Sequence, residues 1–478
     1  MKKIVISKLF LYKYRFIVGY VLLGAAFIAL LLALPLFSQH GLSEAEIESA
    51  TSSYGLAVNA PLEGDLVNLP YRLLQKGSII LLGLTPYAIK LPSIILGLLL
   101  GLLLILLLNR WFKSNVSLLA SCLVILSTPF LFLAGSGTPL IMLVFWPTLL
   151  LWLGSKIQGE KRPKRSYCIF FALALLLSIF TPYMIYFAFF CVLFVFSQPH
   201  LRFVVKNLPK LPLLLVGMVI VAGLTALGIN IFNHPDNLME LLFAKNFEFS
   251  SFGQNIADGF SPLFAWEGTL ENVFLSPLVS LPTFALVLIG LFSTTKGFFA
   301  SRNSIATLLL IFTVITTGFM PNSIVFIILP FSILTAHGLK YILEKWYGLF
   351  PENPYARVAA ILPLTLLFSV MILPSLLQYI YGYRYSPSVA TQFNYDLPII
   401  SKNLTDEALL VKDHYDFYKI LEDSTDIKVI SDIDGPAYPK LAVLRGQDDT
   451  GKYNLSLIIT SPMAEESDII YLYTAKGE

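Results

Sequence analysis

Long apolar runs separated by short charged segments dominate the chain and predict a bundle of membrane-spanning helices. Eleven such runs are bounded by charged residues, and about 20 apolar residues are enough for a helix to cross a bilayer. Several runs are shorter, notably the two separated by Thr181 and Pro182, where proline predicts a kink or a tight turn between half-length helices. The predicted spans are residues 16–37, 90–108, 116–134, 140–154, 167–180, 183–197, 211–229, 276–293, 304–318, 322–339 and 357–380.

Residues 381–478 have a different pattern, with no long apolar run. Short apolar runs separated by turn residues predict strands at 408–411, 427–430, 440–444, 455–459 and 468–473. We therefore expect an all-α polytopic membrane domain of about 11 transmembrane helices over residues 1–380. A small soluble α/β or α+β domain is expected to follow it over residues 381–478.

Composition excludes an ordinary soluble protein. The chain is 56% hydrophobic and 13% charged, with a mean hydropathy of +0.74. The net charge of +3 is too small to indicate a nucleic-acid partner. The three cysteines, Cys122, Cys168 and Cys191, lie inside apolar runs, without a histidine or second cysteine at metal-ligand spacing. Neither a disulfide framework nor a metal site is expected.

The distribution of charge predicts the orientation in the membrane. With the N-terminus inside, the inner segments hold 20 lysines and arginines, whereas the outer loops before residue 381 hold four. Cytoplasmic loops carry the excess of these residues. Acidic residues are distributed in the opposite way, with eleven in the outer loops and three inside. We expect a multi-pass plasma-membrane protein of bacterial type with a cytoplasmic N-terminus, an extracytoplasmic C-terminal domain and its chemistry on the outer face.

Two outer regions are long enough to hold a site. Residues 38–89 carry five carboxylates and then an amphipathic segment with Arg72 and Lys76. Residues 230–275 are rich in phenylalanine and contain Trp266 with scattered carboxylates. Aromatic residues there are typical of anchors at headgroup depth, and a lid over a substrate is the alternative.

Four segments in a fixed order resemble the GT-C glycosyltransferases. They read SEAE at 43–46, NLPYRLL at 68–74, LLGLTPYAIKLPSIILGLL at 81–99, and NRWFKSNVSLLASCLVILSTPFLFLAGSG at 109–137. A weaker likeness is found in MPNSIVFIILPFSILTAHGL at 320–339. More narrowly, the chain resembles family 39, the bacterial relatives of protein O-mannosyltransferases and aminoarabinose transferases.

The resemblance implies transfer of a monosaccharide from a polyprenyl-phosphate donor to an acceptor on the outer face, usually with inversion and without a nucleotide sugar. Such a reaction needs a carboxylate to accept the proton of the acceptor hydroxyl. It also needs cations or amide donors to stabilise the leaving phosphate, together with an apolar groove for the isoprenoid. No cofactor and no divalent metal are expected, and the acceptor stays open.

The family's acidic pair is usually Asp-Glu, and here Ser43 occupies the first place and Glu44 the second. We predict Glu44 as the first candidate base and Glu46 as the second, with Asp65 across the loop as a further carboxylate. The structural alternative is a short helix over 43–53, whose N-terminus Ser43 and Glu46 would close as a capping box.

Asn68 occupies the place where relatives carry a lysine thought to meet phosphate. Arg72, Lys76 or Lys90 would then have to supply the cation, and each could instead extend to lipid headgroups. Asp65, Asn68, Arg72 and Lys90 are the predicted substrate-binding residues. After the third span, relatives often carry an Arg-x-Asp element where this chain has Gly137-Thr138-Pro139.

Two other functions fit the same pattern. The departures at Ser43 and Asn68 are compatible with a catalytically inactive member that binds a lipid-linked glycan. A transporter of lipid-linked sugars is the other alternative. Charges inside spans mark most transport pathways, yet His337 is the main ionisable residue inside the predicted spans.

Overall fold

The structure is a computed structural model in which helices form most of the chain. It describes residues 14–37, 41–56, 65–159, 165–206, 210–242, 249–265, 270–271, 274–297, 300–349, 361–382, 389, 392–404, 407–431, 438–444, 453–460 and 469–475. Parts of both predicted outer regions, including Trp266, lie outside these residues.

The helices before the tail are α1 Arg15–Phe37, α2 Glu44–Tyr54, α3 Leu69–Leu82, α4 Pro86–Trp111, α5 Ser114–Ile125, α6 Thr128–Gly135, α7 Met142–Gly159, α8 Arg165–Ser178, α9 Met184–Ser197, α10 Pro199–Lys206, α11 Lys210–Asn233, α12 Pro235–Leu241, α13 Phe252–Phe260, α14 Leu281–Thr295, α15 Ser301–Phe319, α16 Ile328–Leu349 and α17 Ile361–Leu377. The tail adds α18 Asp396–Asn403 and α19 Tyr415–Lys419. The strands are β1 Leu42–Ser43, β2 Leu270–Glu271, β3 Phe274–Leu275, β4 Phe393–Asn394, β5 Ala408–Leu410, β6 Lys428–Ile430, β7 Lys440–Leu444, β8 Tyr453–Ile459 and β9 Ile470–Ala475.

Several helices have the length and composition of membrane spans. Five pass this test singly among the described residues, and two bent helix pairs would raise the number to seven. The five are Pro86–Trp111, Pro139–Gln158, Ser301–Phe319, Pro321–Leu349 and Thr365–Gly382. The predicted count of eleven is not confirmed, although several apolar helices are.

The predicted continuous span 116–134 is wrong in one respect, because it is broken into α5 and α6, which meet at 62°. Pro129 in the first turn of α6 has no N–H for a helix continuing from α5. The N–H of Thr128 is satisfied elsewhere, since it donates to Ser375 Oγ at 2.8 Å. The predicted break around Thr181 and Pro182 is confirmed, because α8 ends at Ser178 and α9 begins at Met184.

Helices α14 and α16 approach each other closely at two glycines. A Cβ at Gly290 would lie 2.0 Å from the carbonyl oxygen of Leu334, and a Cβ at Gly338 would lie 2.2 Å from that of Leu286. Both obstacles are backbone atoms, which cannot turn aside as a side chain can. Small residues therefore set the distance between these two helices, as is common in membrane bundles.

Gly290→Ala is expected to lower the free energy of unfolding by about 1–3 kcal/mol, because the two helices must separate to admit the methyl group. The measurement is the denaturation midpoint of the purified protein in detergent. Gly228→Ala is the matched control: a Cβ there meets open space, and alanine favours a helix over glycine by up to about 1 kcal/mol. Equal midpoints for both variants would contradict the close approach.

All five strands predicted in the tail are present and form one sheet in the order β6-β5-β7-β9-β8. Strand β5 pairs in parallel with both β6 and β7, and α19 lies between β5 and β6 in the chain. Strands β7, β9 and β8 pair antiparallel. The C-terminal sheet is therefore mixed, with one parallel crossover through a helix.

This tail packs directly on the first outer region. Strand β1 pairs antiparallel with β4, joining Leu42 to Asn394. One buried apolar cluster contains Ile47 of α2 and Ile79 of α3 together with Leu421 of the tail. The outer region therefore lies between the helical bundle and the C-terminal sheet.

Candidate functional site

The acidic segment at 43–46 begins α2, and its geometry starts from Ser43. Ser43 has extended backbone angles and forms the N-cap. Its N–H donates to Glu46 Oε2 at 2.9 Å, as in a capping box. The predicted helix and its capping box are confirmed, with the helix running from Glu44 to Tyr54.

Glu46 is not the solvated charge that this helix reading implied, because only 2% of its side chain is exposed. While Oε2 accepts from the N–H of Ser43, the other carboxylate oxygen, Oε1, accepts a hydrogen bond of 2.5 Å from the N–H of Gly137. Lys90 Nζ lies 3.7 Å from the same oxygen, and the lysine side chain is 1% exposed. A carboxylate is stable in such a place only when its charge is paired and hydrogen-bonded.

Lys90 joins three parts of the chain. It lies near the start of α4, and its ammonium donates to the carbonyl oxygen of Gly41 at 2.9 Å while it pairs with Glu46. Gly41 immediately precedes β1, so one buried lysine fixes the entry of the outer region to the membrane helix. The structure thus brings Glu46 and Lys90 together. It also places Gly137 beside Glu46, and Gly137 belongs to the Gly-Thr-Pro segment where relatives often carry an Arg-x-Asp element.

Glu44 lies on the opposite, accessible side of α2. Its side chain is 71% exposed, and Oε1 is 3.3 Å from Nε2 of His414 in the tail. Glu44 is therefore a solvent-exposed carboxylate, whereas Glu46, on the other side of the same helix, is buried. Of the two candidate bases, Glu44 is the one that a solvent-borne acceptor reaches without a rearrangement.

Arg72 and Asp65 form a pair at the other end of α2. Arg72 Nη1 lies 2.6 Å from Asp65 Oδ2, and Nη2 donates to the carbonyl oxygen of Ser52 at 2.6 Å. Lys76 Nζ donates to the carbonyl oxygens of Tyr54 and Leu56. Both cations therefore satisfy carbonyl groups at the C-terminus of α2, where a positive charge is favourable, rather than extending to lipid headgroups.

Asn68 has a backbone role in this structure. Its φ of 57° is in the left-handed region, which asparagine tolerates better than most residues. The N–H of Asn68 donates to the carbonyl oxygen of Phe180 at 2.8 Å, and its own carbonyl accepts from Tyr71 and Arg72 as α3 begins. Asn68 thus anchors the start of α3 to the segment between α8 and α9.

Gln75 is the residue that sequence reasoning missed. It is fully buried on α3, and Oε1 accepts from the hydroxyls of Ser49 at 2.8 Å and Ser53 at 2.7 Å. Nε2 donates to the carbonyl oxygens of Gly137 at 2.9 Å and Ile89 at 3.1 Å. Ser49 and Ser53 are four residues apart on one face of α2. That spacing was the available signal for a buried polar partner.

Both backbone polar groups of Gly137 are hydrogen-bonded to side chains. Its N–H donates to Glu46, and its carbonyl oxygen accepts from Gln75. Beside it, Ser93 Oγ lies 2.8 Å from the hydroxyl of Tyr71 and 3.3 Å from the carbonyl oxygen of Thr138. Burial raises the pKa of the Tyr71 hydroxyl well above its usual range. The Tyr71 hydroxyl therefore stays protonated in alkaline solution in which an exposed tyrosine ionises.

Gln75→Leu is expected to lower the free energy of unfolding by about 2–3 kcal/mol, because it leaves buried hydroxyl and carbonyl groups without partners. The measurement is the denaturation midpoint in detergent. Gln198→Leu is the matched control, since within the described residues Gln198 makes one side-chain hydrogen bond, of 3.2 Å to Ser304 at the other end of the bundle. A loss no larger than that of the control would contradict the bridging role of Gln75.

The tail also contacts the end of α2. The hydroxyl of Tyr54 donates to Asp423, and this hydrogen bond raises the pKa of Tyr54 to about 12.

Among the described residues, no group of three or more histidine, cysteine or acidic side chains is placed to hold a metal ion.

Comparison with known proteins supports the fold. No protein-family model and no curated protein sequence matches the chain. The crystal structure of ArnT from Cupriavidus metallidurans bound to undecaprenyl phosphate is similar over 96% of this chain and 98% of that chain, with a TM-score of 0.56 and 14% identity. The oligosaccharyltransferase of Archaeoglobus fulgidus in its apo form matches 89% of this chain and 65% of its own, with a TM-score of 0.55 and 12% identity.

The archaeal enzyme AglB from Archaeoglobus fulgidus, in complex with an inhibitory peptide and a dolichol-phosphate, covers 88% of this chain and 65% of its own, with a TM-score of 0.54 and 12% identity. At such identities the likeness establishes fold. With several apolar helices of spanning length, it makes the chain a multi-pass membrane protein. The order of sequence segments at 43–137 had predicted the same architecture, and the chain has the GT-C fold.

Proposed function

We propose that this protein is a glycosyltransferase that moves a monosaccharide from a polyprenyl-phosphate donor to an acceptor at the outer region formed by residues 38–89. The observation that carries the proposal is the near full-length likeness to ArnT, a GT-C protein crystallised with undecaprenyl phosphate. AglB, the similar structure that contains a dolichol-phosphate, supports the same class of lipid. The donor sugar and the acceptor are left open.

The proposed step is a single displacement at the anomeric carbon. The acceptor oxygen forms the new bond to that carbon while the bond to the phosphate oxygen breaks. The leaving polyprenyl phosphate keeps the electron pair, and the hydroxyl proton of the acceptor passes to a carboxylate. Cationic or N–H groups beside the phosphate stabilise its growing charge.

We assign the base to Glu44, because it is exposed and belongs to the segment most like the family's acidic pair. Glu46 is the second candidate, and its buried pair with Lys90 holds α2 against α4. Asp65, Asn68 and Arg72 border the far end of α2, where the exposed carboxylate of Asp65 is available to a sugar hydroxyl. Lys90 is proposed to meet phosphate only if its pair with Glu46 opens.

The excess of lysine and arginine in alternate loops supports the remaining assignments. We propose that the N-terminus is cytoplasmic and that the outer region and the C-terminal sheet are extracytoplasmic. Labelling of single cysteines placed at exposed Glu48 and exposed Lys206 in intact cells, with a membrane-impermeant reagent, checks this orientation. Labelling at residue 206 and not at residue 48 would reverse it.

One observation favours a second function, the binding of a lipid-linked glycan without transfer. Lys90 is paired with Glu46, while Arg72 and Lys76 are committed to Asp65 and to carbonyls of α2. In this arrangement the cations of the outer region are engaged by carboxylates or carbonyl oxygens of the protein itself. Donor binding without donor breakdown would establish this alternative.

The test uses the purified full-length protein with a panel of polyprenyl-phosphate sugars that differ only in the sugar. Free polyprenyl phosphate is quantified after incubation with membrane extracts that supply acceptors, and donor binding is measured in parallel. An active enzyme releases polyprenyl phosphate from at least one donor and leaves the others intact. Tight binding with no release from any donor would replace the enzyme by the binding protein.

A further inference from the structure

A cavity lies at the opposite end of the helical bundle from the outer region. Its volume is about 620 Å³, within the range of about 300–1,000 Å³ for ligand pockets. Helix α4 connects the two places, since Lys90 is near its start and Arg110 and Trp111 are at its end. Twenty residues of α-helix separate Lys90 from Arg110, a distance of about 30 Å. The cavity is therefore distinct from the proposed active site.

The walls of this cavity are largely apolar. They come from α4, α7, α8, α9, α10 and the start of α15. Phe171, Phe194 and Ile305 are among the lining side chains, and a soluble polar metabolite would find few partners along them. Such a lining suits a hydrocarbon chain.

Two arginines give the cavity a positive end. Arg110 is exposed, and Arg302 is half-buried, with Nη1 donating to the carbonyl oxygen of Trp111 at 2.5 Å. The guanidinium of Arg302 lies 5.1 Å from the centre of the Phe112 ring, which orients its plane. Its buried Nε–H has no hydrogen-bond partner within the part of the chain that the structure describes.

Among the residues that the structure describes, no aspartate or glutamate lines the cavity. Glu344, whose charge acts on Arg302, lies 3.9 Å from Lys340, with which it forms its own pair. Arginine is the cation best suited to phosphate, because its planar group donates several hydrogen bonds at once. The charge at this end therefore complements a phosphate group.

Helix α10 covers one side of the cavity and has the form of a membrane-surface helix. It runs at 100° to α9, so it lies nearly in the membrane plane if α9 crosses the bilayer. Leu201 and Val204 face the cavity, whereas Arg202, Phe203 and Lys206 are exposed. Basic and aromatic residues on a short amphipathic helix are typical of the interface with anionic lipid.

We propose that this cavity binds one anionic phospholipid from the bilayer leaflet at that end, with an acyl chain between α7, α9 and α10 and the phosphate at Arg110 and Arg302. The bound lipid fills the space between α9, α10 and α15. This site does not depend on the sugar-transfer reaction at the outer region.

The probe is phosphatidylglycerol, compared with phosphatidylcholine of the same acyl chains. Native mass spectrometry of the full-length protein, released from detergent containing equal amounts of the two lipids, counts the lipid retained by each molecule. The decisive variant is Gly154→Leu, since a Cβ at Gly154 meets open space and the larger side chain occupies the cavity. Gly217→Leu, also in open space but on α11 outside the cavity lining, is the matched control.

The wild-type protein is expected to retain one phosphatidylglycerol at least about tenfold over phosphatidylcholine, because both lipids offer a phosphate to the two arginines but only phosphatidylcholine adds a quaternary ammonium that they repel. Gly154→Leu is expected to lose this lipid, and Gly217→Leu to keep it. Arg110→Gln/Arg302→Gln is expected to lose the preference between the two lipids. Equal retention of both lipids by the wild type, or full retention of phosphatidylglycerol by Gly154→Leu, would overturn the proposal.

Discussion

Lys90→Met is expected to lower the free energy of unfolding by about 3–5 kcal/mol, the usual cost of removing one partner from a buried ion pair. Glu46 would remain 2% exposed without the ammonium group 3.7 Å from its oxygen. Gly41 would also lose the donor to its carbonyl oxygen. Denaturation of the purified protein in detergent, followed by the signal of the folded state, measures the change.

The double variant Lys90→Met/Glu46→Gln is the control for this prediction. No charge is left buried alone in this variant, although the single amide oxygen can accept from only one of the two N–H groups, Ser43 or Gly137, that donate to different oxygens of Glu46. We expect it to recover part of the lost stability, giving a favourable coupling between the two sites. If the double variant were as unstable as the sum of the single variants, the two residues would not act as a pair.

Glu44→Gln is expected to lower the rate of sugar transfer by about 10²–10⁴-fold, because general-base catalysis contributes a factor of that size. The change is nearly isosteric, and the side chain is 71% exposed, so the unfolding midpoint should stay close to that of the wild type. The measurement is the initial rate of label transfer from the donor identified in the panel, at saturating donor.

Glu48→Gln supplies the matched control, since Glu48 is exposed on the same helix one turn further on. It should transfer sugar at the wild-type rate. Full activity in Glu44→Gln would refute the assignment of the base to this residue. In that case, a loss of activity in Glu46→Gln larger than its loss of folded protein would transfer the role to the second candidate.

Local sequence signals predicted much of the fold. The strand β7 at 440–444 was predicted residue for residue, and α2 differed from its prediction by one residue at each end. Those elements depend on alternation, apolar runs and a capping box, which are all local. The break between α5 and α6 was missed although Pro129 is a local signal for it; the partner of the Thr128 N–H at the break, Ser375, lies far along the chain.

The candidate site was harder to predict, for a related reason. Sequence spacing placed Glu46 and Lys90 in one outer region, but the partner that donates to the buried Glu46 carboxylate, the N–H of Gly137, comes from a distant part of the chain. The spacing of Ser49 and Ser53 indicated a buried polar partner but did not identify Gln75, whose four partners come from three separate parts of the chain. The sequence also left Arg72 available to bind phosphate, because it does not show that the carbonyl oxygen of Ser52 and the carboxylate of Asp65 contact its guanidinium group.

The most direct test of the central claim is the stoichiometry of the proposed reaction in the purified wild-type protein. With a donor labelled in both its sugar and its lipid, we expect one molecule of free polyprenyl phosphate for each sugar that reaches an acceptor. Nucleotide sugars should not replace the donor. A donor that binds yet stays intact, or transfer that proceeds only from a nucleotide sugar, would contradict the account.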